Sequence, residues 1–243
     1  GTFSGVDTPL VTADQTLSGA FVDSDNDGDL DIYLVHYRAK DQLLQNEGGQ
    51  YIESPPPPSF GNNGNSTSVA WGDFDQDGRL DLFATHRFAW ANQIYTRFNA
   101  EGFSNQSELL GILRGGRDSF GVTAFDFDND SDLDLYVTNL GYTNLLHRND
   151  GHGAWKQVAE EVRLDHPSAS VGALPADYDN DGDLDLFVIN VANQANALYR
   201  NDAGPHFSDV TGLAGVGGGD RTSTGATAPA PGRPGLTSIS TAT

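Results

Sequence analysis

The chain has 243 residues, enough for one sizeable domain or a large part of a repeat array. Asp and Glu number 34 against 13 Lys and Arg, a formal charge of −21; this disfavours nucleic acid and anionic membranes, which repel it, and favours cations. With no Cys, disulfides, thiolate metal sites and Cys nucleophiles are excluded.

Apolar residues make up 37% and aromatics 10%, and both fall in short regular runs, which argues against disorder for most of the length. There is no Met, so Gly1 reads as the start of a processed or excised piece. No signal peptide is visible at the N-terminus, and no apolar run approaches the roughly 20 residues that span a bilayer.

In chain order, the first unit opens with the apolar run Gly19-Ala20-Phe21-Val22 and the acidic loop Asp23-Ser24-Asp25-Asn26-Asp27-Gly28-Asp29-Leu30-Asp31. Gln42-Leu43-Leu44-Gln45-Asn46 and the aromatic Tyr51 follow. A loop of Pro55 to Pro58 and Gly61 to Ser68 leads to the second unit. That unit has Val69-Ala70-Trp71-Gly72, then Asp73, Asp75, Asp77, Arg79 and Asp81 in its loop, then Gln93 to Arg97 and Phe103.

The third unit has Val122-Thr123-Ala124-Phe125, then Asp126, Asp128, Asp130, Asp132 and Asp134 around Ser131, then Leu135-Tyr136-Val137-Thr138, Asn144 to Asn149 and Trp155. The fourth has Ala173-Leu174-Pro175-Ala176, then Asp177, Asp179, Asp181, Asp183 and Asp185, then Leu186-Phe187-Val188-Ile189, Ala197 to Asn201 and Phe207. The first Asp recurs in steps of 50, 53 and 51. Short β-branched and aromatic runs bounded by Gly, Asn and Asp are strands, and four per fifty residues is the content of a propeller blade.

The expected fold is therefore all-β: a β-propeller with four recognisable four-stranded blades at about 18–60, 66–115, 119–165 and 170–214. Residues 1–220 form the repeat region, with a turn near Glu160 to Leu164 as the sole helical candidate. Residues 221–243 form a disordered or aberrant tail. Thr222 to Ala228 resembles the start of a fifth blade, but Pro229 to Gly235 carries no Asp. Codons for Thr237 to Thr243 read one base earlier allow Asp-Leu-Tyr-Leu-Asp-Gly-Asn, so a frameshifted or truncated repeat and a low-complexity linker both stand.

The loops read as calcium sites. Calcium takes six to eight oxygens, and alternate Asp residues on a tight turn aim several carboxylates at one point. The expected ligands are the Asp side chains at positions one, three, five and nine of each loop. A backbone carbonyl is expected at position seven (Asp29, Arg79, Asp132, Asp183), whose side chain is free to vary. Gly at position six permits positive φ; Ser131 there makes the third site the weakest.

An EF-hand would need Glu at position twelve, where Leu34, Ala84, Val137 and Val188 stand. Magnesium prefers octahedral sites that keep several waters, so four carboxylates per loop suit calcium better. Sixteen ligand Asp are nearly half the acids, and four calcium ions would move the charge from −21 to −13.

The pattern D-x-D-x-D-G-D-L-D-L-[FY]-V with N-x-L-[LY]-[HR]-[RN]-N resembles the FG-GAP/VCBS repeat over about residues 18 to 214, most closely the branch of the cartilage acidic and ASPIC/UnbV proteins. The resemblance implies a propeller similar to the integrin α head, usually seven-bladed, with calcium held by the loop Asp residues on one rim. It also implies a secreted, extracellular or cell-surface location and an adhesion or matrix role, with some members acting as lectins and others accompanying enzyme domains. Two departures stand out: four blades are visible, and the C-terminal ASPIC-type module is absent.

No hydrolase, metalloprotease or phosphate-loop motif appears, so the chain is expected not to be an enzyme. His36 and His86 share a repeat slot with Asn139 and Asn190, which suits strand-end hydrogen bonding. The expected partner is a protein or glycan on a cell surface or matrix, with no nucleic acid and no membrane insertion. Trp71 aligns with strand residues and reads as core, whereas Trp90 lies in a loop without counterpart and is the best exposed ligand-binding candidate. A lectin, or an accessory domain of a secreted carbohydrate-active enzyme, is the alternative function.

Overall fold

A computed structural model describes residues 15–54, 65–88, 90–99, 102–112, 117–151, 153, 155–203 and 206–217. The tail 221–243 and the loop Pro55 to Pro58 lie outside the described residues.

Among the described residues sixteen strands fall into four consecutive groups. Blade one has β1 (Gln15–Val22), β2 (Asp31–Tyr37), β3 (Gln42–Glu47) and β4 (Gln50–Ser54). Blade two has β5 (Ser66–Gly72), β6 (Asp81–His86), β7 (Gln93–Asn99) and β8 (Gly102–Asn105). Blade three has β9 (Ser119–Phe125), β10 (Asp134–Thr143), β11 (Leu145–Arg148) and β12 (Lys156–Gln157). Blade four has β13 (Pro167–Ala176), β14 (Asp185–Asn190), β15 (Ala197–Arg200) and β16 (Ser208–Asp209). Each is an antiparallel meander in chain order, as expected when every connection is a short turn.

Three details differ from the sequence reading. β10 runs on past Asn139 and pairs with β13 (Leu140 opposite Ala169), fusing the third and fourth sheets along one edge. β5 begins at Ser66, so Ser66 to Ser68 belong to a strand, and Ser66 is buried. A one-turn helix, α1 (Thr211–Ala214), follows β16 and ends on Gly215, whose φ is 68°.

The second strands carry the cores. Side chains of β6 read buried throughout, because alternate residues face the blade before and the blade after. Three apolar clusters result. Val22, Tyr33, Val35 and Leu43 of blade one meet Leu82 and Tyr95 of blade two. Phe74, Phe83 and Ile94 meet Leu135, Val137 and Leu145. Phe125, Phe127, Tyr136 and Leu146 meet Leu186, Val188 and Tyr199. Trp71 is partly buried and packs against the first cluster, edge-on to Tyr33 at 5.6 Å and to Phe103 at 5.7 Å. β1 packs on β5, β5 on β9 and β9 on β13; no comparable packing joins blade one to blade four among the described residues.

Candidate metal centres

Every acidic loop occupies the turn between the first and second strands of its blade. The turn is tight because two of its residues are left-handed. Position six has φ of 95° at Gly28, 83° at Gly78, 75° at Ser131 and 99° at Gly182. Position four is left-handed too, with φ of 63°, 57°, 60° and 63° at Asn26, Gln76, Asn129 and Asn180. Asn tolerates that region better than most residues, so its recurrence there was a legible signal that the sequence reading missed.

The carboxylates wire the loop internally. The position-one Asp accepts the backbone N–H of positions five and six: Asp126, for example, accepts from Asp130 at 3.2 Å and Ser131 at 2.9 Å. The same pair recurs at Asp23, Asp73 and Asp177. The position-five Asp accepts the N–H of position seven, at 2.8–3.0 Å in all four loops.

The position-nine Asp is buried, at 0–1% exposure for Asp31, Asp81, Asp134 and Asp185. One oxygen accepts the position-two N–H (Ser24, Phe74, Phe127, Tyr178). In three blades the other oxygen accepts a backbone N–H at the end of the third strand, from Asn46 within it or from Asn149 or Asn201 just after it.

Three carboxylates per loop converge with ligand oxygens within 4.8 Å of one another. In loops two to four these are positions one, three and nine: Asp73, Asp75, Asp81; Asp126, Asp128, Asp134; Asp177, Asp179, Asp185. In loop one they are Asp23, Asp25 and Asp27, while Asp31 is engaged by the Ser24 hydroxyl. Position five of the later loops (Asp77, Asp130, Asp181) stands outside the convergent group.

Position seven departs from the idle role expected of its side chain. Asp132 and Asp183 are buried and accept from the preceding loop, Asp132 from Gln76 and Asp183 from Asn129 at 2.6 Å. Asp29 is exposed, and Arg79 turns its guanidinium onto Asp77 of its own loop.

The clustered carboxylates disfavour one another's ionisation. Burial, and then the charges of Asp128 and Asp130, push Asp134 up to about 8 against the pull of two backbone N–H bonds. Asp75, Asp128 and Asp185 are raised as well, by burial first and by neighbouring loop carboxylates after it. A hard divalent cation would relieve each cluster, and an all-carboxylate donor set matches calcium rather than a metal that prefers imidazole or thiolate.

At the far end of the second strands, His36 sits between Thr16 at 3.3 Å and Gln42 at 2.9 Å. Asn139 and Asn190 in the same slot bond the carbonyls of Thr143 and Ala195 at 2.7 Å. Burial holds His86 down at about 4. The sequence reading missed the residues beneath them: Asp41, Asn92, Asn144 and Asn196 each accept the backbone N–H of this slot. Asn92 and Asn144 also reach the next blade, donating to Ser119 Oγ at 3.1 Å and Ser170 Oγ at 3.0 Å.

Trp90 is exposed, at 47%, beside Phe88 at 53%. Arg87 anchors this loop by two bonds to Asp118, each 3.0 Å. Trp90 is on a different part of the blade from the metal loops, in the turn after β6.

The family model of the FG-GAP-like repeat matches residues 23–84 and 126–188, just over half the chain, and takes in all four acidic loops. Cartilage acidic protein 1 of Mus musculus is 22% identical over 197 residues, covering 72% of this chain and 29% of that protein. Its Homo sapiens counterpart is 22% identical over 208 residues, covering 77% and 28%. The chain thus spans under a third of these relatives. A chain of the Photorhabdus luminescens Tc holotoxin pore aligns at 16% identity and a TM-score of 0.40, over 83% of this chain and 9% of its own. On the repeat profile, and on the blades and loops that it covers, this chain belongs to the FG-GAP-like repeat family.

Proposed function

We propose that the chain is a calcium-binding array of propeller blades, with calcium structural, acting as an extracellular binding or adhesion module. The observation that carries the metal reading is the fourfold recurrence of three carboxylates with oxygens within 4.8 Å of one another. The structural role follows from where these groups are tied. The same Asp residues that would hold the ion also hold the backbone of the turn, and position nine reaches the third strand. An ion there would lock two strands and a loop and would supply charge neutralisation.

The extracellular assignment rests on the resemblance to the cartilage acidic branch and on a cation that is plentiful outside cells; among the described residues no helix is long and apolar enough to cross a membrane. Thermal unfolding in calcium and in chelator tests the structural reading: a midpoint that rises with calcium supports it, and an unchanged midpoint rejects it. Glycan recognition is the second reading, favoured by the exposed Trp90 and Phe88 pair. A glycan array probed with the native chain and with Trp90→Ala separates it from protein adhesion, and hydrolysis of the same glycans would restore an enzymatic or accessory role.

A further inference from the structure

The junctions between blades two and three and between blades three and four are made alike. The position-two aromatic of one loop packs on the fourth-strand aromatic of the next blade: Phe74 on Trp155 with centroids 5.7 Å apart, Phe127 on Phe207 at 6.4 Å. The carbonyl of that same aromatic accepts from the side chain of an Asn in the next blade, Phe74 from Asn149 and Phe127 from Asn201, both at 2.8 Å. Loop position four donates to position seven of the following loop, Gln76 to Asp132 and Asn129 to Asp183 at 2.6 Å.

The two Asn residues are links in a longer chain of bonds. Asp81, at position nine of loop two, accepts the Phe74 N–H at 3.0 Å. The Phe74 carbonyl accepts the Asn149 amide, and the Asn149 backbone N–H goes to Asp134, at position nine of loop three, at 2.9 Å. The pattern then repeats: Asp134 accepts from Phe127 at 3.0 Å, the Phe127 carbonyl accepts from Asn201, and the Asn201 N–H goes to Asp185 of loop four at 2.9 Å.

Asp81, Asp134 and Asp185 each belong to the converging carboxylates of their loop. One aromatic residue and one asparagine thus separate a carboxylate of each site from a carboxylate of the next. All seven residues are buried, which strengthens the bonds between them. Loops one and two meet through Asn26, which donates to the Gly78 carbonyl at 3.1 Å. Blade two carries Arg97 in the slot of Asn149 and Asn201, so the asparagine links begin with blade three.

We infer that Asn149 and Asn201 couple the metal sites of loops two, three and four, so that calcium held in one loop raises the affinity of the next. The inference rests on the calcium reading of the loops. With a cation between positions one, three and nine of loop two, Asp81 is fixed. Asp81 orients the Phe74 peptide, that peptide orients the Asn149 amide, and Asn149 holds Asp134 in place for loop three. Ordering that loop three would otherwise undergo on binding is then already complete, which is positive coupling, and linkage makes it reciprocal. The bond from position four to position seven acts in the same sense, since position four lies between two loop Asp residues. Asn149 and Asn201 supply no carboxylate and act as positioning residues.

The test is an NMR titration of the full chain with chelator-buffered calcium. The position-six N–H of each loop donates to the position-one Asp of the same loop, so Gly78, Ser131 and Gly182 each report their own site. Salt of roughly 0.15 M screens charges beyond about 8 Å. Asp73→Asn with Asp75→Asn, which disables loop two, should raise the free calcium at the Ser131 midpoint about fivefold or more. That response should vanish in a background of Asn149→Ala with Gln76→Gly, which cuts both bonds between loops two and three. It should persist in Asn201→Ala, which leaves that junction whole, so general destabilisation does not imitate the result. A second reading needs no ligand substitution: the native Ser131 curve should be steeper than that of a single site, and Asn149→Ala should flatten it. A Ser131 midpoint indifferent to loop two, a response that survives loss of both bonds, or a native curve of single-site slope would overturn the coupling and leave the calcium reading standing. No calcium-dependent shift at any of the three amides would overturn both.

Discussion

Asp134→Asn separates the two jobs of the position-nine carboxylate. Asp134 is fully buried and pushed up to about 8. Against an unfolded value near 4, holding that group in the cation-free fold at pH 7 costs on the order of 4 kcal/mol. The folded value is the raised one, so without a cation the native state binds more protons between pH 4 and pH 8. Its stability then rises as pH falls through that window. Asparagine is neutral without having to take up a proton, but it turns an amide toward one of the two N–H donors, Phe127 or Asn149, at a cost of about 1–3 kcal/mol.

In chelator at pH 7 the variant should therefore match the native chain or exceed it by up to about 3 kcal/mol, a midpoint gain of up to roughly 10 °C. In calcium the order should reverse, because the variant has lost a ligand carboxylate. Calorimetry of both proteins in both conditions reads the sign directly. An equal shift in chelator and in calcium would refute the assignment of Asp134 to the ion, and a native chain that loses stability on acidification in chelator would refute the charge-burial argument.

Three further outcomes are expected. Ser131→Gly relieves a side chain at φ 75° and should stabilise the third blade by up to about 1 kcal/mol, read as a higher urea midpoint; a loss would show that the serine side chain contributes to the loop. Asn149→Ala strips donors from the Phe74 and Leu133 carbonyls and should cost about 2–3 kcal/mol at constant calcium; a loss within 0.5 kcal/mol, the usual surface range, would show that the junction does not depend on it. Trp90→Ala should leave the midpoint within about 0.5 kcal/mol of native while abolishing any glycan signal, and a large stability loss would make Trp90 structural.

Much of this architecture was legible because it is local. Asp at alternate positions, Gly28, Gly78 and Gly182 at the turn, and β-branched runs on either side fix the loop and its two strands within one repeat. Position nine was legible as acidic, but not as the buried brace that accepts Asn149 or Asn201 from fifteen or sixteen residues on. The junctions were not legible at all. Asn149 meets the Phe74 carbonyl across 75 residues, and Asp183 meets Asn129 across 54, contacts that exist only after blades stack. Position seven looked variable because its neighbours differ from blade to blade: a preceding loop for Asp132 and Asp183, and its own Asp77 for Arg79. The extension of β10 onto β13 escaped for the same reason, since Leu140 to Thr143 carry no strand signal until β13 lies alongside.

The central claim, that these loops hold calcium, is tested most directly by counting the metal. The purified chain is dialysed against buffered micromolar free calcium, and bound calcium is measured by mass spectrometry against protein concentration. Four ions per chain are expected, falling to three in a variant with Asp177, Asp179 and Asp185 all changed to Asn, whose group is one of four. Calcium no higher than in the dialysis buffer would contradict the account.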